Sequence, residues 1–269
     1  MPASDRSAAP APSLDALAAI LREAGTIALK TFRANVRSWT KAGQSPVCEA
    51  DIAVNDFLKD RLASLGPQIG WLSEESVDDS ARLDAASVWI VDPIDGTRAY
   101  IAGLEDWSIS VALVKAGRPV VAGLYAPVTN ELFLAQRDLG ATCNGKTLAV
   151  TDAATLAGAR VGGPRNRVDR LARVANGIVP APKIHSLALR FARVAQGRLD
   201  VVVAGPNSHD WDLAAADLLV HEAGGLVTDL AGAPVIYNRS NPVHGILVAA
   251  GPARLGILRG LLREHADAI

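Results

Sequence analysis

The segment Trp89-Ile90-Val91-Asp92-Pro93-Ile94-Asp95-Gly96-Thr97 holds the densest chemistry in the chain. An apolar run delivers two carboxylates three residues apart, with a proline in the turn between them. Gly96 and Thr97 then lead into a short helical stretch, Arg98–Ile101. The start of a helix offers free backbone N–H groups and the positive end of its dipole, which suit an anion such as phosphate. Two carboxylates beside that anion would repel it unless cations lay between them. The combination points to hard metal ions, Mg²⁺ foremost, bridging acid side chains and phosphate oxygens. The plain alternative is a polar turn, because Asp, Pro and Gly are ordinary turn residues. This segment alone does not choose between the two.

Four further acids add to it. Ser73-Glu74-Glu75-Ser76 places an acidic pair at the end of a short strand, where solvated loop charge would explain it equally well. Asp212, in Trp211-Asp212-Leu213, and Asp51 both head helices, where Asp is a favoured N-cap. Each acid taken singly has a bland role. Together they share one property: all lie at ends of elements, where α/β-type folds gather functional groups.

The elements that must carry these residues follow from periodicity. Ser13 caps a helix in which Leu14, Leu17, Ala18, Leu21, Ala24 and Ala28 recur at helical spacing to about Phe32. A short strand is expected at Val36–Lys41, a turn at Gly43–Pro46, a helix from about Asp51 to Leu65 and a short strand at Trp71–Leu72. After a polar loop, Val77–Ser87, the strand Val88–Val91 should stop at Asp92-Pro93, because proline cannot continue the ladder. Strands follow near Ser108–Lys115, Pro119–Ala126 and Glu131–Gln136. Beyond a loop-like stretch at Val150–Ala159 the pattern becomes α/β. Strands are expected at Arg160–Gly162, Asp200–Ala204, Leu226–Asp229 and Gly245–Ala249. Helices are expected at Val168–Ala175, Ser186–Gln196, Asp212–Ala223 and Pro252–Glu264, the third closed by Gly224-Gly225. This divides the chain into a disordered lead, residues 1–12, an α+β half, 13–150, and an α/β half, 151–269.

Composition sets outer bounds. Of 269 residues, 49% are hydrophobic, enough for a sizeable core. Lys and Arg number 27 against 28 Asp and Glu, a net charge of −1, which argues against a general nucleic-acid binder. Two cysteines, Cys48 and Cys143, lie far apart and in no metal-ligand spacing. No run approaches the ~18 apolar residues of a membrane span. The first dozen residues lack the pattern of a secretory signal, so the expected location is the cytoplasm.

In order along the chain, Glu74-Glu75, Asp92-Pro93-Ile94-Asp95-Gly96-Thr97, Trp211-Asp212 and Glu222-Ala223-Gly224-Gly225 resemble the signature of the inositol monophosphatase family, Mg²⁺-dependent and lithium-sensitive phosphomonoesterases. Ser45-Pro46-Val47-Cys48-Glu49-Ala50-Asp51 resembles the family block that ends in a catalytic Asp. Cys48 departs from it, because the family commonly has Thr there. The likeness runs from Leu14 to about Leu262. It implies a layered αβαβα sandwich of the inositol monophosphatase/fructose-1,6-bisphosphatase type, in two unequal parts. It also implies two to three Mg²⁺ ions. Glu74, Asp92 and the carbonyl of Ile94 would hold one, Asp92, Asp95 and Asp212 a second, and Glu74 with water a third. Thr97, bonded to Asp51, would orient and help deprotonate the attacking water. The amides of Gly96 and Thr97 would bind the phosphate. Asp95, Lys41, His185 and Ser186 are further candidates for substrate contact. A homodimer is a family-level expectation.

These blocks hold a phosphate and do not read the rest of the substrate. A ring-binding Glu common in inositol-specific relatives has no counterpart near Gly205. The Gly205-Pro206 step before Trp211-Asp212 is similar to the bisphosphate nucleotidase branch, whereas Thr97-Arg98 is similar to histidinol-phosphate phosphatases. The expected activity is hydrolysis of inositol monophosphate or 3′-phosphoadenosine 5′-phosphate by metal-activated water. Histidinol phosphate is the alternative, and so is a non-catalytic regulator with the same fold. Arg98, Lys183 and Arg190 join Lys41 and His185 as basic residues able to meet a second phosphate. His209 beside Asp210 reads as a rim residue rather than a catalytic pair, and Trp107 and Cys143 as packing.

Overall fold

The computed structural model describes residues 12–41, 45–66 and 68–265. All but Pro12 of the expected lead, and Gly43 and Gln44 of the expected turn, lie outside them. The first part of the chain contributes α1 (Leu14–Leu29), β1 (Ser38–Thr40), β2 (Pro46–Cys48), α2 (Glu49–Ala63), β3 (Gly70–Ser73), β4 (Ser87–Asp95) and α3 (Thr97–Ile101). The meander β5 (Ser108–Lys115), β6 (Arg118–Ala126), β7 (Glu131–Gln136), β8 (Ala141–Cys143) and β9 (Lys146–Thr147) follows. Next come β10 (Arg160–Gly162), α4 (Arg165–Val174), β11 (Val179–Pro180), α5 (Leu187–Ala195), β12 (Val201–Ala204), β13 (Ser208–His209) and α6 (Asp210–Glu222). The chain ends with β14 (Leu226–Asp229), β15 (Val243–His244), β16 (Leu247–Ala250) and α7 (Pro252–Glu264).

Strands β3 to β9 form one seven-stranded sheet in sequence order, and β11-β10-β12-β16-β14 form a five-stranded one. Period-two alternation explains the layering. On β4, Trp89 and Val91 face one core, with Leu17, Leu21, Leu58 and Leu62 of α1 and α2. Val88 and Ile90 face the other, with Ala188 and Phe191 of α5 and Leu218 of α6. The far face of the five-stranded sheet buries Val201 and Val203 against Leu171 of α4 and Leu255 of α7. The order is therefore α1/α2, sheet, α5/α6, sheet, α4/α7. Helix α6 lies between two sheets, so Ala214, Ala215, Ala216, Leu218, Leu219 and Val220 are buried around its whole circumference. Close approach of α1 to β6 depends on Gly123, where a Cβ would collide with Leu21. Among the described residues no helix is long and apolar enough to cross a membrane.

Two expectations are corrected. Strand β4 does not stop before Pro93 but runs to Asp95. A register shift between Asp92 and Asp95 absorbs the proline, which needs no ladder partner at a bulge. The polar stretch before β4 contains a 3₁₀ turn, Ser80–Asp84, whose Arg82 is buried and bonds Asp78 and Asn238. Short pairs such as β8–β9 and β13–β15 carried too few residues to show a period.

Candidate active site

Strand β4 delivers two of the acids. Asp92 Oδ1 accepts the Ile94 N–H at 3.0 Å, which folds the chain back across Pro93. Gly96 then turns at φ +98°, and a Cβ there would stand 3.3 Å from Ser186 N and from Trp107 Cβ. A residue other than glycine would meet both a backbone penalty and that crowding.

Asp212 and Asp51 are not N-caps, as the sequence suggested. Each is the third residue of its helix and reaches back to the N-cap, the arrangement of a capping box. Asp212 Oδ2 accepts the His209 N–H at 2.7 Å. Asp51 Oδ2 accepts both the N–H and the Sγ–H of Cys48, each at 2.8 Å, and its Oδ1 accepts the Thr97 hydroxyl at 3.0 Å. Cys and His are unusual caps, so each helix starts two residues before the position that the sequence pattern predicts. Cys48 thereby has a role that its departure from the family pattern did not reveal. Burial, with Asp51 beside it, pushes its thiol up to about 12.

Carboxylate oxygens of Asp92, Asp95 and Asp212 lie within 4.8 Å of one another. Burial drives the carboxyls of Asp92 and Asp212 well above the usual range, and neighbouring acids add to it: Glu74 and Asp95 at Asp92, Asp95 and Glu74 at Asp212. Burial also raises Asp95, to about 6, against the pull of its donors. Those donors are the Ser186 hydroxyl at 2.6 Å and the N–H groups of Leu187 at 3.1 Å and Ala188 at 2.6 Å. The first turn of α5 is thus aimed at Asp95. Among the described residues no lysine or arginine pairs with any of the three acids. An all-oxygen donor set of this charge fits a hard divalent cation such as Mg²⁺ and suits soft metals poorly.

The remaining expected residues fall around this cluster. Glu74 borders the same cavity but stands outside the tightest group, its Oε1 3.1 Å from Lys41 Nζ. Lys41, expected to meet substrate, is held between Glu74 and Glu75, the latter at 2.5 Å. Burial lifts Glu75 to about 7 against that pairing. The Ile94 carbonyl lies 3.1 Å from the Thr97 hydroxyl. A cavity of about 570 Å³ is lined by the acids together with Gly96, Thr97, Arg98, Lys183 and His185. Arg190 is turned to the Ile184 carbonyl. His209 stacks on Trp211, centroids 4.5 Å apart, while Asp210 pairs with His244 at 2.6 Å, so His209 and Asp210 do not act together. Trp107 and Cys143 are buried, as expected of packing residues.

Sequence reasoning missed Asp106, Ser108 and His244, and considered Asp210 only as a partner of His209. Asp106 binds His185, Ser108 Oγ lies 2.9 Å from Ser186 Oγ, and Asp210 with His244 ties β15 to the head of α6. The one available signal was Asp106-Trp107 immediately before β5, an acid at the end of an element like the others.

A layered α/β sandwich gathers buried carboxylates at the ends of β4 and α6, beside amides at the start of a helix, an arrangement whose chemistry suits hard cations and an oxyanion. The model of the inositol monophosphatase family matches residues 10–265, and the chain belongs to that family. It is 30% identical over 230 residues to the 3′(2′),5′-bisphosphate nucleotidase CysQ of Aggregatibacter actinomycetemcomitans, covering 82% of this chain and 85% of that one. It is also 30% identical over 270 residues to the Nus factor SuhB of Escherichia coli K12, covering 96% and 98%. Among solved structures, an IMPase of Thermotoga maritima superposes with a TM-score of 0.82 at 26% identity, covering 94% and 98%.

Proposed function

We propose that this chain is a Mg²⁺-dependent phosphomonoesterase acting on a small-molecule phosphate ester. The observation that carries the reading is the buried cluster of Asp92, Asp95 and Asp212 lining the cavity, with no lysine or arginine paired to it among the described residues. Glu74, Asp92, Asp95, Asp212 and the Ile94 carbonyl would hold the ions. When bound, Mg²⁺ would neutralise the acids, offset the charge of the phosphate and make the attacking water more acidic.

The chain's own groups do the rest. Thr97 donates its hydroxyl hydrogen to Asp51 Oδ1, which leaves the oxygen lone pairs free to accept a hydrogen from the attacking water. Asp51 takes up the proton that Thr97 passes on, and its other oxygen stays anchored by Cys48. The Gly96 and Thr97 amides, at the start of α3, orient the phosphate.

Between the two expected substrates, the cavity favours the bisphosphate. Arg98 and Lys183 line it, and Ala204–Ser208 contributes no acid that would hold a polyol ring. The proposal extends to inhibition by Li⁺, a cytoplasmic location and a homodimer. The test is phosphate release from 3′-phosphoadenosine 5′-phosphate, inositol 1-phosphate, histidinol phosphate and fructose 1,6-bisphosphate, with millimolar Mg²⁺ or with excess chelator. The expected result is Mg²⁺-dependent release, fastest from the first ester. Undiminished release in chelator removes the metal-dependent reading, and no release from any ester leaves the non-catalytic one.

A further inference from the structure

A second cavity, of about 610 Å³, shares no lining residue with the one that holds the acids. Strand β7 gives it Glu131, the start of β9 gives Lys146, and the end of α5 with the turn beyond gives Arg193 and Arg198. Glu131 is the one acid among the described residues that line it, and its accepting capacity is spent. Oε1 accepts Arg193 Nη1 at 2.7 Å, Arg198 Nη1 at 3.0 Å and Gln196 Nε2 at 3.3 Å. Oε2 accepts Arg193 Nη2 at 2.6 Å and the Thr129 hydroxyl at 2.9 Å. Burial opposes ionisation of Glu131, but the bonds and charge of Arg193 outweigh it and hold the carboxyl at about 2. The bidentate pair, each side chain 12% exposed, is a fixed wall that cancels one cation of three.

Two positive charges are left over. Lys146 is exposed, and among the described residues it meets no carboxylate. Arg198 gives Nη1 to Glu131 and keeps the donors on Nε and Nη2. Its main-chain N–H binds the Arg193 carbonyl at 2.9 Å, which fixes the base of the side chain. The whole chain carries a net charge of −1, so an excess of two cations in one concavity is a local departure from the composition. A solvated surface cation needs no partner. Cations lining one cavity repel each other, and an anion between them relieves that repulsion. A phosphate group carries nearly two negative charges at neutral pH and presents several acceptor oxygens. That complements charged groups that only donate, and a guanidinium fork matches phosphate geometry.

We propose that this cavity binds a small phosphate-bearing anion through Lys146 and Arg198, at a site separate from the acid cluster. The site goes beyond the phosphatase reading and stands without it.

The experiment is calorimetric titration of the full chain with inorganic phosphate and with glycerol 3-phosphate, in excess chelator and about 0.15 M chloride. Without Mg²⁺ the acid cluster repels anions, so the first cavity should contribute no heat. The expected result is one equivalent bound with a Kd of about 1 mM or tighter. Lys146→Gln and Arg198→Gln should each weaken binding about tenfold, and the double variant should abolish it. Equal affinity for both probes makes the free ion the ligand, and tighter binding of the ester makes it a phosphate carried on a larger molecule. No saturable binding of either probe, or unchanged binding in the double variant, overturns the proposal. Asp95→Asn should leave the titration unaltered; a tightened one puts the ion in the first cavity and overturns the proposal as well. Should Arg198→Gln fail to fold, Lys146→Glu reverses an exposed charge without touching the bonds to Glu131, and its loss of binding carries the same test.

Discussion

Asp51 and Asp212 occupy the same position in two helices, yet the loss of a charge should affect them differently. Asparagine at 212 keeps an oxygen for the His209 N–H and removes one carboxylate from a crowded, buried cluster. Asp212→Asn should therefore melt at the same temperature as wild type or higher in chelator, while losing Mg²⁺ affinity and most turnover. Asp51 accepts from Cys48 N–H, Cys48 Sγ–H and Thr97 Oγ1. Its asparagine can keep one oxygen on Cys48 only by turning an NH₂ group toward Thr97, which reverses that bond. Asp51→Asn should fold and should lower kcat more than it changes KM. Melting in chelator and Mg²⁺-dependent turnover, measured on the same preparations, decide the matter. Early melting with full specific activity in both variants would reduce these aspartates to helix caps. Cys48 gives a companion prediction. Its buried thiol, pushed up to about 12, should resist alkylation in the folded protein, as mass spectrometry after iodoacetamide would report. Cys48→Ser should keep the donor to Asp51 and the rate, and Cys48→Ala should lose both.

Helix α5 shows how an element, rather than a residue, makes the site. Ser186 is its N-cap and accepts the Leu189 N–H at 2.9 Å, while its hydroxyl hydrogen goes to Asp95. Ser186→Ala should cost about 1 kcal/mol from the lost cap. It should also weaken Mg²⁺ binding, because Asp95 loses a donor that fixes its orientation. Ser186→Thr should restore both. Calorimetric Mg²⁺ titration would sink this account if the alanine variant bound as tightly as wild type. The same helix marks the limit of what the sequence made legible. Its period and its cap were readable, and so was the Asp92–Thr97 block, because apolar spacing and turn residues are local signals. The passage of β4 through Pro93 was not readable, because a bulge depends on the partner strand. Nor was the Asp95–Ser186 bond or the His185–Asp106 pair, since each joins residues about 80–90 positions apart that periodicity cannot connect. Glu222 illustrates the converse. It belongs to a recognisable block, yet its carboxylate caps the turn at Asp138 and Gly140, away from the acid cluster.

At the scale of the whole molecule, the acids are contributed by different layers: Asp92 and Asp95 by the seven-stranded sheet, Asp212 by the helical layer beneath it. A cation bound there would join two layers, and its absence should strain them in a way that depends on pH. A carboxyl whose folded-state pKa is raised holds its proton more tightly folded than unfolded. Its stabilising contribution is complete below the ordinary carboxylate range and is lost as pH rises through the folded value. Asp95 sits at about 6 and Glu75 at about 7, and Asp92 and Asp212 are also raised. Glu131 and Asp200 act in the opposite sense. Held at about 2 by arginine partners, they contribute stability that is lost only as pH falls below the ordinary range. In the window from about pH 5 to 8 the raised acids therefore dominate, and the protein in chelator should melt at progressively lower temperature as pH rises. Mg²⁺ reverses the trend because it needs the ionised carboxylates, and its binding releases protons. At about 100 times its Kd it adds about 2.7 kcal/mol, or about 5–10 °C for a chain of this size, and the gain should be larger at the upper end of the window. Differential scanning calorimetry across that range, in chelator and in Mg²⁺, checks both slopes. A melting temperature that climbs with pH in chelator, or a Mg²⁺ gain that is the same at both ends, would mean that the acid cluster is not held in the buried, mutually repelling state described above.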